Sequence, residues 1–192
     1  MPRTKSFDQQ EVLNKATELF WSQGYGATPP QDILDDTGLS RSSLYDTFGD
    51  KHSLFLKTLR HYRGRETAGL IRFLDEAEDA TDGIRRMFHG AYEGVPTERE
   101  QKGCLMINSI HELLPHDPEV GEIIRENRQA IEEAFVRAIR RGKKQGGIRN
   151  THRPRALARF LTNNLWGLTT QLKLGVGKKT AADIVKITLS VL

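Results

Sequence analysis

An all-α protein in two parts is what this sequence predicts, and three observations carry the prediction. Apolar residues recur at three- and four-residue intervals along nearly the whole chain, no period-2 strand pattern interrupts them, and one helix of only about seven residues stands isolated between Gly38 and Gly49. A helix that short is marginal alone. It must be clamped by neighbours, which leaves its outer face free for another task.

The first helix is marked by Asp8 as N-cap, Glu11 completing a capping box, and Phe7 opposite Val12 as a staple. Val12, Leu13, Ala16, Leu19 and Phe20 follow at helical spacing, and Gly24 and Gly26 end it. The spacing predicts a second helix with Thr28 as N-cap and Pro29 at the first helical position, burying Ile33 and Leu34 and stopping at Gly38. Ser40 caps a third from Arg41 to about Phe48, with Leu44 and Phe48 inward and Arg41, Ser42, Ser43, Asp46 and Thr47 outward. Asp50 caps a fourth through Leu54, Phe55, Leu59 and Tyr62. Further helices are expected at about 66–77, 80–94, 103–114, 118–144, 153–175 and 179–191, the long one starting at Pro118 after Asp117. Arg137, Arg140, Arg141, Lys143 and Lys144 at its end suit a helix C-terminus without any ligand.

Composition narrows the class. With 37% hydrophobic and 28% charged residues among 192, and a mean hydropathy of −0.54, the chain reads as an ordinary soluble protein. No apolar run approaches the roughly 18 residues of a membrane span and no signal-peptide core precedes the first helix, so a cytoplasmic location and no membrane partner are expected. Cys104, the single cysteine, has no internal disulfide partner. The net charge of +4 invites a nucleic-acid reading, but residues 1–60 hold seven basic and eight acidic side chains. DNA contact there must come from the placement of a few residues.

Two helices joined by a short turn at Gly38 form a helix-turn-helix, whose second helix can enter a major groove. The run from Ala16 to Leu56, with LFWSQGY, SRSSLYDTFGDK and Leu54, resembles the N-terminal domain of TetR/AcrR-type transcriptional regulators, and GCLMINSIHELLPHDPEV resembles the regulatory domain of one branch of that family. The resemblance implies a three-helix helix-turn-helix DNA-binding domain over 1–50 and a helical ligand-binding and dimerisation domain over 51–192, joined by the helix at about 51–64. It implies phosphate contacts from Lys51, Tyr45, Thr47 and Thr28, and base contacts from Arg41, Ser42 and Ser43. Pro29 and Pro30 remove backbone donors at the second helix, and Asp46 would be repelled by phosphate; an arm holding Arg3 and Lys5 could restore charge.

The same resemblance implies a bacterial repressor, cytoplasmic and on the nucleoid when bound, dimeric on a palindromic operator double helix, and released by a small-molecule effector without any cofactor. Expected effector-site residues are Phe88, Tyr92, Cys104, Met106, Ile110, His111 and Trp166, for each of which core packing is an alternative. The stripe Leu157, Leu161, Leu165, Leu168 and Leu172, with Ile184, Ile187 and Val191, wants either the chain's own core or a second copy, and the homodimer interface is expected there. Cys104 follows Gly103 at a helix N-terminus beside Lys102, a setting that can lower a thiol pKa and serve oxidant or electrophile sensing. A small buried apolar residue is the alternative. HELLPH, His111 to His116, fails as a zinc-protease motif because Pro115 stands where the second histidine belongs, so neither a metal nor a catalytic residue is expected. A helical adaptor that does not bind DNA is the reading from another class.

Overall fold

The computed structural model describes residues 7–93 and 97–192, which are helical with no strand among them. The elements are α1 (Gln9–Gln23), α2 (Pro30–Thr37), α3 (Arg41–Phe48), α4 (Lys51–Tyr62), a π-helical turn (Arg63–Thr67), α5 (Ala68–Glu76), α6 (Ala80–Gly90), α7 (Thr97–Lys102), α8 (Leu105–Leu113), α9 (Pro118–Lys144), α10 (Pro154–Lys173) and α11 (Lys178–Leu189). The arm holding Arg3 and Lys5 lies outside the described residues.

Local chemistry sets most boundaries. Asp8 accepts from Gln10 N at 2.8 Å, Ser40 from Ser43 N at 3.2 Å, Asp50 from Ser53 N at 2.7 Å and Asp117 from Val120 N at 3.1 Å. Each satisfies one backbone donor that a helix start leaves unpaired. Gly38 has φ +72°, the left-handed geometry that closes α2, and its N–H donates to Leu34 O at 2.9 Å.

Two apolar clusters hold the molecule together. One joins Ala16, Phe20, Ile33, Leu44, Phe48, Phe55 and Leu59 of α1 to α4 with Leu105 and Met106 of α8 and Val120, Ile123 and Ile124 of α9. Phe20 and Phe55 meet edge to face, 5.0 Å between centroids. The second joins Leu74, Ile84, Phe88, Phe135, Ile139, Leu157, Leu161, Leu165, Leu168, Leu172 and Val185. The N-terminal head is therefore packed on α8 and the start of α9, not hung from α4 alone.

The α10 leucines require a correction. Leu157, Leu161, Leu165, Leu168 and Leu172 are 0 to 7% exposed within this single chain, so they face its own core and offer nothing to a second copy. Ile184 and Val191 are half-buried against that core, while Ile187 stands 69% exposed. At the basic end of α9, Arg137, Arg141 and Lys143 find partners within the chain. Arg141 donates to Leu74 O and Asp75 O, Arg137 pairs with Asp75 at 2.7 Å, and Lys143 donates to Asn150 O and His152 O. Arg141 and Lys143 thereby satisfy backbone carbonyls of neighbouring segments.

Candidate functional site

The head presents α3 outward. Leu44 and Phe48 are 2% and 3% exposed and lock α3 inward, while Arg41, Ser42, Tyr45 and Asp46 are exposed and Ser43 and Thr47 half-buried. Arg41 and Asp46 form no ion pair among the described residues. Ser40, Ser42 and Ser43 share their hydroxyls over 2.9 to 3.1 Å, so the start of α3 carries a preformed polar rim. Lys57 closes the other end, donating to Thr47 O and Phe48 O. Lys51 lies at the start of α4 with Nζ 4.3 Å over the Tyr25 ring, and burial pulls its pKa below the ordinary lysine value.

Thr28 departs from expectation. It is 0% exposed, and its hydroxyl donates to Gly24 O at 2.6 Å inside the α1–α2 turn, so it has none to offer a phosphate. The cap falls on Pro29 and the first helical position on Pro30, because a ring that fixes φ and lacks N–H is cheapest there.

Sequence reasoning missed the lock on that turn. Glu112 of α8 accepts from Tyr25 N at 3.0 Å and from Gly26 N. Gly24, at φ +87°, allows the approach, since a Cβ there would lie 3.1 Å from Glu112 Oε2. The carboxylate in HELLPH thus holds the head, while His111 and His116 are exposed. A second tie joins His52 Nε2 of α4 to Asp117 Oδ2 at 2.7 Å. The signal for neither lay within one helix.

Beneath the head lies a cavity of about 710 Å³. Trp21 of α1 and Tyr62 of α4 form the head side of its wall, and Leu70, Phe73, Met87, Asn127, Ile131, Leu165 and Trp166 belong to the body. Of the expected effector residues only Cys104 and Trp166 line it. Phe88 and Tyr92 are buried in the body core, Met106 and Ile110 belong to the head cluster, and His111 points to solvent. Trp21 Nε1 donates to Gly103 O at 3.0 Å, tying α1 to the cavity rim.

The expected lowering of the Cys104 pKa is also corrected. Although the residue as a whole is only half-buried, its thiol is enclosed, and burial pushes its pKa up. The neighbouring Ile107, Tyr62 and Met106 polar groups act in the opposite direction but do not offset that desolvation.

A helix-turn-helix head with an exposed polar second helix, locked onto a helical body with an open cavity between them, is consistent with a DNA-binding regulator. The pattern of bacterial regulatory proteins of the tetR family matches residues 12–58, and that of the tetracyclin repressor-like C-terminal domain matches residues 80–186. The HTH-type transcriptional regulator YezE of Bacillus subtilis is 34% identical over 193 residues, spanning 100% of both chains. The HTH-type transcriptional repressor ComR of Escherichia coli is 27% identical across 97% of this chain and 90% of its own. A cysteine mutant of the TetR family transcriptional regulator CifR, solved with a 26-base-pair double-strand operator, superposes with a TM-score of 0.83 at 25% identity, covering 98% of each chain. This chain belongs to the TetR family of transcriptional regulators.

Proposed function

We propose that the chain is a homodimeric repressor that binds a palindromic operator through α3 and is released when a small molecule occupies the cavity. The observation that carries the DNA reading is the outer face of α3. Arg41, Ser42 and Tyr45 are exposed on a helix whose inner residues Leu44 and Phe48 are buried. Arg41 pairs with a guanine edge, Ser42 and Ser43 read beside it, and Tyr45, Thr47 and Lys51 contact phosphate. The division of labour falls near residue 50, with α4 shared between head and body. We place the repressor in the cytoplasm; no helix among the described residues is long and apolar enough to cross a membrane.

The dimer face moves from the leucine stripe to the opposite side of α10. Ala156, Phe160, Asn163 and Gly167 are exposed at four-, three- and four-residue intervals, and Leu174 and Ile187 extend the patch at 73% and 69% exposure. Gly167 faces open space, where a second helix could approach closely. Because the cavity wall includes Trp21 and Tyr62, an effector that fits only one head position must change DNA affinity, by about 1–3 kcal/mol for a typical coupling.

Selection of bound fragments from a random duplex library at about 0.15 M salt tests this, because that salt penalises purely electrostatic binding. The expected result is an inverted repeat whose half-sites lie about one turn, 34–36 Å, apart. Enrichment of no sequence by folded protein would refute the reading.

A further inference from the structure

Glu112 stands where its own helix gives it no support. It is the penultimate residue of α8, and a carboxylate in the last turn of a helix faces the negative end of the helix dipole. Its partners lie in the head instead. Glu112 Oε2 accepts from Tyr25 N at 3.0 Å and Oε1 accepts from Gly26 N, so one carboxylate holds two successive amides of the α1–α2 turn. A Cβ on Gly26 would lie 3.0 Å from Oε1, as one on Gly24 would crowd Oε2, so this hold needs two bare backbone positions.

The residue held in this way is the one beneath Lys51. Lys51 Nζ lies 4.3 Å from the centre of the Tyr25 ring, and that ring is backed by Phe55 and Phe20, 4.9 and 6.2 Å away between centroids. The Glu112 charge also attracts the Lys51 ammonium, against the burial that pulls its pKa down. No carboxylate among the described residues is in ion-pair contact with Nζ, which leaves the ammonium available to a phosphate.

Resting on the reading of Lys51 as a phosphate contact, we propose that Glu112 is a positioning residue for operator binding. Through the Tyr25 and Gly26 amides it holds the ring on which the Lys51 ammonium rests, and so fixes where that ammonium meets the phosphate. A residue of the body thereby sets a contact of the head. The sign separates this from a plain charge effect. Removing a carboxylate near Lys51 would, by Coulomb attraction alone, tighten binding to a polyanion, whereas removing a positioning residue weakens it.

Operator affinity and its salt dependence test this, measured for the full chain on the duplex selected with wild type, in Glu112→Ala, Lys51→Ala and the double variant. Each single variant is expected to bind about tenfold more weakly, the loss of one charge-assisted contact, with a flatter salt slope. The double variant should bind no more weakly than Lys51→Ala, where independent effects would multiply to about a hundredfold. If Glu112→Ala does not fold, Gly26→Ala decides: it keeps the charge but crowds Oε1, and a partial loss of affinity and slope is expected, with wild-type values contradicting the proposal. Tighter binding or an unchanged salt slope in folded Glu112→Ala, or a double variant at the product of the two losses, would overturn the positioning role while leaving the phosphate contact intact. No binding by wild type, or unchanged affinity and slope in Lys51→Ala, would overturn the two together.

Discussion

α3 and α10 both bury residues at helical spacing, Leu44 and Phe48 in one, Leu157 to Leu172 in the other, yet their outer faces differ in kind. Outside α3 are Arg41, Ser42, Tyr45 and Asp46; outside α10 are Ala156, Phe160, Asn163 and Gly167. The buried stripe says what a helix packs on within its own chain. On the proposed reading, the residues left over say what it meets next, a charged groove in one case and a second copy in the other.

The sharpest way to break this contrast is Phe160→Glu combined with Ile187→Glu. Placing carboxylates at the centre of the α10–α11 patch should convert the dimer to a monomer in sedimentation and weaken operator binding at least about a hundredfold, since two half-sites no longer bind as one unit. An unchanged dimer would move the interface elsewhere. Leu161→Ala probes the inner face of the same helix. It should cost about 2–5 kcal/mol in urea unfolding while leaving the folded protein dimeric, because Leu161 is fully buried in its own chain.

On α3 the effects are smaller and divide by role. Arg41→Ala should relax discrimination at one base pair by about 1–3 kcal/mol, whereas Lys51→Ala should weaken all sequences alike and flatten the salt slope by about one unit. The smallest expected effect is at Thr28. Thr28→Val should leave operator affinity unchanged and cost only about 1 kcal/mol of stability through the lost bond to Gly24 O. For Cys104, the raised pKa keeps the thiol protonated at neutral pH, so iodoacetamide should label it more slowly than a free thiol at pH 8. Fast labelling of folded protein would restore the sensor reading.

Capping made much of the fold legible in the amino-acid order. Asp8, Ser40, Asp50 and Asp117 act within three residues, and local chemistry of that range can be read directly. At Thr28 two rules competed, and proline at the first helical position outweighed a hydroxyl cap. α7 was not anticipated because TEREQK carries no apolar stripe. The cavity was hidden for a different reason: Trp21, Tyr62, Asn127 and Trp166 come from four helices far apart in the chain. Glu112 is the instructive case, read as part of a failed metal motif and found locking the α1–α2 turn from 86 residues away.

The most direct test of the account runs the duplex selection on wild type and Arg41→Ala side by side. Spacing of the half-sites tests the proposed α10–α11 dimer, and the identity of single bases tests the proposed contacts of α3. The account predicts the same inverted repeat and spacing for both proteins, with one position in each half-site losing its preference in Arg41→Ala. A uniform loss of enrichment at every position, or a wild-type site with no inverted repeat, would contradict it.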